Sequence, residues 1–264
     1  MYLLLPFYRC WAAGEFCALE KSRHRAYTVY TLCTAMPAGG ERGRIIMAQY
    51  EKGIETKRLL LQASRELFYR QGYEQTTTRQ IAEKSGTNLG LIKYYFESKA
   101  DIALLIYLEI RNAFSGWLQQ FGYTVPQMYL IDSALELRLC FNSPPFGRFY
   151  DQIYKEPKLR ALFQSKVLDS LHMSSRVNAM GAEYFTFACL SISAIKPALV
   201  SFYLNPGGEK YSPDSYIRYY MAQQIHYLQY ENPQELLEFC LQELTKYYFD
   251  AADNFAPVMS RLVP

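Results

Sequence analysis

The sequence predicts an all-α protein: an N-terminal three-helix helix-turn-helix unit followed by a larger C-terminal helical body. Three observations carry that prediction. Apolar residues recur at i, i+3, i+4 and i+7 along several long segments. Helix-start signatures punctuate the chain, at Thr77 with Gln80, Ser98 with Asp101, Ser212 before Pro213, and Asn232 before Pro233 with Glu235 following. Half of the 264 residues are hydrophobic, enough to bury a substantial core.

Residues 1–46 stand apart, because they hold three of the six cysteines and show no sustained helical or strand period. Met1 to Leu5 is apolar but lacks a basic n-region, so a signal peptide is a poor reading. We expect this leader to be an upstream translated extension and the natural start to be Met47. Arg42-Gly43-Arg44 can be encoded by a purine run placed like a ribosome-binding site. The alternative is a basic arm that tracks nucleic acid.

From Gly53 to Gln71 the positions Leu60, Ala63, Ser64, Leu67 and Phe68 form one face of a helix, which Gly72 stops. Lys57 and Arg58 on its outer face are solvated charges or phosphate contacts. Thr77 and Gln80 then cap a short helix whose core residues are Ile81 and Ala82. Gly86 sits where the turn needs φ > 0, and Asn88 caps a second short helix. That helix buries Ile92, Tyr95 and Phe96 by spacing, which turns Leu89, Gly90, Leu91, Lys93 and Tyr94 toward solvent or a partner. Such a face suits a major-groove reader.

The stretch from Leu60 to Lys99 resembles the DNA-binding head of the TetR family of bacterial transcriptional regulators. The resemblance rests on Leu60-Leu61, Ala63, Leu67-Phe68, Gly72-Tyr73, Thr76 to Thr78, Ile81-Ala82, Gly86, Gly90, Ile92, Tyr95-Phe96 and Ser98-Lys99. It implies a homodimer on a palindromic double-stranded operator, released by a small, hydrophobic or aromatic effector, in the cytoplasm. It also implies phosphate contacts from Thr78, Lys93, Tyr94 and Lys99, and a base or backbone contact from Arg79. Leu89 and Leu91 depart from the family's commoner Lys and Thr. They cannot donate hydrogen bonds but can pack on thymine methyl groups. Gly90 lets a phosphate approach the backbone or relieves crowding within the protein.

Charge supports a head that meets DNA. Residues 1–46 carry the whole net charge of +3, while residues 50–99 hold nine basic and six acidic side chains and residues 100–264 thirteen and sixteen. A body of net −3 is repelled by phosphate, so docking falls to the head. The expected domains are therefore a leader over 1–46, a DNA-binding unit over 47–98 and an effector-binding and dimerisation body over 99–264.

In the body, Ser98 opens a long helix to about Phe121, and Gly122 and Pro126 break the chain. Helices are predicted over Gln127 to Phe141, Arg148 to Lys155 and Lys158 to about Ser174, with Asn142-Ser143-Pro144-Pro145 as a turn. Ala182 to Leu204 is nearly all apolar, which predicts a helix at the centre of the body, kinked at Pro197. Two capped helices finish the chain, with stripes at Ile217, Tyr220, Met221, Gln224, Leu228 and at Leu237, Leu241, Leu244, Tyr248. They either close the core or, as the resemblance implies, form a four-helix bundle with a second copy. Residues 251–264 are expected to fray.

Aromatic density marks a candidate effector pocket around Phe141, Phe149, Tyr150, Tyr184 and Phe187. There is no metal-ligand spacing, Gly-rich phosphate loop or nucleophile elbow, so neither a metal, a cofactor nor an enzyme is expected. No apolar run was found that reaches the eighteen or so residues of a membrane span. The rival readings are an enzyme with an accessory helix-turn-helix, and a helical dimerisation module whose head no longer binds DNA.

Overall fold

The computed structural model describes residues 41–172 and 180–246, and among them there is no strand. Among the described residues ten α-helices follow one another: α1 (Glu41–Gln71), α2 (Thr78–Ser85), α3 (Leu89–Phe96), α4 (Lys99–Leu118), α5 (Val125–Asn142), α6 (Pro144–Lys155), α7 (Pro157–His172), α8 (Ala182–Leu204), α9 (Pro213–Tyr227) and α10 (Pro233–Lys246). This is the predicted all-α architecture. The expectations for the leader fall mostly on residues outside those described, as do Tyr248 and the C-terminal tail. Helix α1 nevertheless begins at Glu41, upstream of Met47, where no helical period was read.

The chain divides into two compact units between Leu59 and Leu60. In the first, the N-terminal part of α1 carries a fork in which Arg58 donates to both carboxylate oxygens of Glu55, at 2.6 and 2.8 Å. Arg58 is thus an exposed charge paired within its own helix.

In the second unit, the predicted stripe of α1 is buried: Leu60 is fully enclosed, and Ala63, Ser64 and Phe68 nearly so. One apolar cluster runs from these through Ile81, Ile92 and Phe96 into α4 and the body. Burying each such side chain stabilises by about 1.5–3 kcal/mol, so the short α2 and α3, weak as isolated helices, are held by tertiary packing.

The prolines act differently from the expectation. Pro126 lies in the first turn of α5 and Pro144 and Pro145 in that of α6, so they start helices rather than break them. At these positions the missing N–H has no helical partner to lose. Where α6 leaves α5 the backbones come so close that a Cβ on Gly147 would sit 2.3 Å from the Cys140 carbonyl oxygen.

Helix α8 runs through Pro197 as predicted but is not buried on all sides. Phe185, Cys189, Ile192, Lys196 and Val200 face the core, while Phe187 (58% exposed), Leu190 and Phe202 form an outer stripe. By length and composition this helix is long and apolar enough to cross a membrane, correcting the sequence expectation. Within the chain it packs on α5, α6, α7 and α9, and its Lys196 is ion-paired with Glu136 of α5.

Helices α9 and α10 resolve the alternative left open by their stripes. Ile217, Tyr220, Met221, Gln224, Leu228, Leu237 and Leu244 are all buried against the chain's own core, and Leu241 is partly buried against it. Both helices pack on α5. These side chains pack within the protomer, Leu241 only in part.

Candidate nucleic-acid interface and the charged centre of the body

The helix pair is built by local hydrogen bonds at each place the sequence predicts. Thr77 Oγ1 accepts from the Gln80 N–H at 3.2 Å, and Gln80 Oε1 accepts from the Thr77 N–H at 2.8 Å, completing the capping box. Gly86 adopts φ +66° at the end of α2, and the Thr87 N–H returns to the Ala82 carbonyl. Asn88 Oδ1 then accepts from the Gly90 N–H at 2.8 Å to open α3. These bonds fill positions that a helix terminus leaves without partners, so the turn geometry is determined within about a dozen residues.

On α3, Ile92 and Phe96 are buried and Tyr95 packs partly under them. Leu89 (45% exposed), Gly90, Lys93 and Tyr94 (71% exposed) project outward, as does Arg79 from α2, with Thr78 half-buried. Leu91 corrects the expectation, because it is half-buried and packs on the core, leaving only part of its side chain for a partner. A Cβ on Gly90 would meet only Asn88 Oδ1, at an ordinary 3.4 Å. Crowding inside the protein therefore does not explain a glycine there.

Lys99 does more than the resemblance implies. Its Nζ donates to the carbonyl oxygens of Tyr73 and Thr76, each at 2.8 Å, and lies 4.1 Å from the centre of the Tyr73 ring. Two of its three N–H groups thus tie the start of α4 to the loop before α2, leaving one for another acceptor. Burial lowers its pKa against the opposing pull of Glu156 and Glu74.

The body holds a buried charged cluster that no sequence signal marks. Glu136 of α5 is fully buried and meets Lys196 of α8, Arg111 of α4 at 3.2 Å and the Tyr107 hydroxyl, which donates at 2.5 Å. Arg111 also pairs with Asp132, to which Ser115 donates at 3.4 Å. Two cations and two carboxylates are thereby enclosed, with Tyr150 and Tyr154 stacked alongside at 4.5 Å between centroids. Burial pushes Glu136 upward, but the charges of Arg111 and Lys196, with hydrogen bonds from Lys196 and Tyr107, outweigh it and hold the carboxyl below its usual value. For Asp132 burial wins over Arg111, and the pKa rises. Desolvating ions costs several kcal/mol each, so an enclosed cluster of this kind is weak evidence for stability and better evidence for a site.

The Tyr150 hydroxyl is buried there, with only a loose hydrogen bond to the Tyr154 hydroxyl. The Gln224 amide, which also meets the Tyr129 hydroxyl, is a different case. Ser133 has one proton for two acceptors, Leu130 O and Gln224 Oε1. Turning the Gln224 amide over lets Nε2 donate to Ser133, which removes the conflict.

The predicted aromatic pocket does not assemble. Phe141 packs on Tyr203 and Tyr216, Phe149 stacks on Phe68 at 5.6 Å, and Tyr150 borders the charged cluster. Tyr184 and Phe187 point outward on α8, because their spacing places them with Leu190 rather than with Phe185 and Cys189.

Residues 60–106 match the family model described as bacterial regulatory proteins, tetR family, which covers the end of α1, α2, α3 and the start of α4. The resemblance read from the sequence is thus shown for the head. No curated protein matches the chain at a significant level. Among solved structures, one described as a gamma-butyrolactone receptor (ArpA-like protein) aligns over 73% of this chain and 99% of that one, with 16% identity and a TM-score of 0.36.

Proposed function

We propose, from the match of the head to the TetR family, that the chain is a DNA-binding transcriptional regulator and not an enzyme. It acts in the cytoplasm as a homodimeric repressor of a palindromic operator. The observation that carries this reading is α3, whose outer face of Leu89, Gly90, Lys93 and Tyr94 is exposed while its inner face is packed and capped. In such a complex Thr78, Lys93, Tyr94 and the remaining N–H of Lys99 position the head on phosphates. Arg79, Leu89 and the exposed part of Leu91 face the base edges. The test is a titration of DNA fragments from around the protein's own gene at several salt concentrations. Lys93→Ala is expected to weaken all fragments nearly equally and to reduce the salt slope by about one; an unchanged slope removes Lys93 from the interface.

Two heads in successive major grooves sit roughly 34–36 Å apart, which requires a second copy. We place that copy on the outer stripe of α8, since five of the twelve exposed large hydrophobic residues among those described belong to this helix. Phe187→Glu combined with Phe202→Glu is expected to give a monomer in sedimentation. A variant that stays dimeric sinks the assignment.

The effector is proposed to bind at the charged cluster, as an aromatic or apolar molecule carrying a polar group that meets the Tyr150 hydroxyl. The enclosed charges and the ring faces of Tyr107, Tyr150 and Tyr154 support this site over the scattered aromatics predicted from sequence.

A further inference from the structure

Tyr107, Tyr150 and Tyr154 stand beside the enclosed carboxylate of Glu136, and their hydroxyls are joined. Tyr107 of α4 donates to Glu136 of α5, while the Tyr154 hydroxyl is hydrogen-bonded to those of both Tyr107 and Tyr150. Tyr150 and Tyr154, four residues apart on α6, share one face of that helix with their rings stacked at 4.5 Å. The Tyr107 ring lies 6.2 Å from that of Tyr150.

A phenol hydroxyl has one proton to give. Glu136, held between Arg111 and Lys196, is ionised and can only accept, so it fixes the direction of the whole chain. The Tyr107 proton goes to Glu136. Its contact with Tyr154 therefore takes the Tyr154 proton, and the contact of Tyr154 with Tyr150 takes the Tyr150 proton. The chain ends on the Tyr150 oxygen, a fully enclosed acceptor with no proton left to donate. Such an oxygen can be met only by a group that brings an O–H or N–H of its own. The charges set a second condition. Arg111 and Lys196 face Asp132 and Glu136, two cations against two carboxylates, so an ionised newcomer finds no unmatched partner to offset its desolvation.

We infer that Tyr150 is the terminal acceptor of a phenol chain rooted on Glu136, and that the cluster takes an uncharged aromatic or apolar effector whose O–H or N–H donates to the Tyr150 oxygen. The inference rests on the proposed placement of the effector at this cluster, and adds the effector's charge and the direction of its hydrogen bond. A carboxylate, an ammonium, or an ether or ketone without a donor does not meet these conditions.

Calorimetric titration of the full chain with phenol, anisole, benzoate and benzylammonium tests it. Phenol and anisole differ by one methyl group and one donor. In a merely apolar site the methyl group favours anisole. Phenol is instead expected to bind the wild type at least about fivefold more tightly than anisole, and at least about tenfold more tightly than either ion. Tyr150→Phe removes the acceptor and is expected to turn the preference to anisole. Tyr154→Phe is the sharper variant, because it leaves the Tyr150 oxygen in place and frees its proton to donate. Phenol and anisole are then expected to bind within about twofold of each other. A structural role for either tyrosine would weaken both probes alike. Should Tyr150→Phe fail to fold, Tyr154→Phe carries the test alone. Affinities that respond to these variants while anisole matches phenol on the wild type, or while benzoate binds best, overturn the donor inference and leave the effector site in place. Probes that do not bind, or that keep the same preference in the wild type and the variants, remove the effector site itself and the inference with it.

Discussion

The head and the body solve the same problem of polar groups inside a helical protein in opposite ways. In the head, the starts of α2, α3 and α4 are each satisfied by a residue two or three positions away: Thr77 with Gln80, Asn88 with Gly90, Ser98 with Asp101. Among its described residues no charged side chain is fully buried. In the body, Arg111, Asp132, Glu136 and Lys196 are drawn inward from three helices, and each depends on partners far along the chain. A locally satisfied head keeps its geometry through small changes elsewhere. A body whose interior charges balance only as a group has a structure that one added polar group can rearrange.

Breaking the body should therefore hurt most. Glu136→Ala leaves Arg111 and Lys196 enclosed without their shared carboxylate, and is expected to destabilise by about 3–5 kcal/mol in chemical denaturation. Because the folded-state pKa of Glu136 is depressed, its contribution is present above the ordinary carboxylate range and is lost as pH falls through the lower folded value. The stability gap between the wild type and Glu136→Gln should accordingly narrow on acidification; a gap that widens contradicts the assigned charge state. Next comes Gly72→Ala, at the junction of the two regions. A side chain at φ +87° that also meets Gln152 is expected to cost about 1–3 kcal/mol, visible as a lower denaturation midpoint.

Within the head the effects are smaller. Thr77→Ala removes one half of a capping box and should cost about 1 kcal/mol, with faster exchange limited to the start of α2. Gly90→Ala should leave stability unchanged or raise it by up to about 1 kcal/mol, since alanine is the better helix former and space is open. DNA affinity should nevertheless fall as the new methyl group meets the backbone phosphate. Undiminished affinity means that no phosphate approaches Gly90. The contrast sharpens if the order holds, and collapses if Thr77→Ala proves as damaging as Glu136→Ala.

The same difference explains what could be read in advance. Caps, the φ > 0 glycine and the three-four spacing of Ile92, Tyr95 and Phe96 are short-range signals, so the head was legible almost residue by residue. The body's helices were legible too, since Ser212 and Pro213 announce α9 as Thr77 announces α2. Its site was not. Tyr107, Arg111, Glu136 and Lys196 each sit on helices whose surface positions routinely carry such residues, and nothing local marks them as converging. Leu91 was misplaced by the same limitation, because one helix seen alone has an outside that its neighbours partly cover. The stripes of α9 and α10 were correctly identified as apolar, but periodicity does not say whether the apolar face meets the same chain or another.

Leu89, standing nearly half exposed at a reading position, has a consequence for what kind of mark on DNA the protein can sense. On the proposed reading it recognises a methyl group and not a hydrogen-bonding edge. Thymine shares its C5 methyl with 5-methylcytosine but not with uracil. An operator synthesised with uracil at the contacted step should then bind more weakly although its base pairing is unaltered, and cytosine methylation beside that step should alter occupancy. On that reading, chemical modification of a base reaches the proposed regulator through this one leucine.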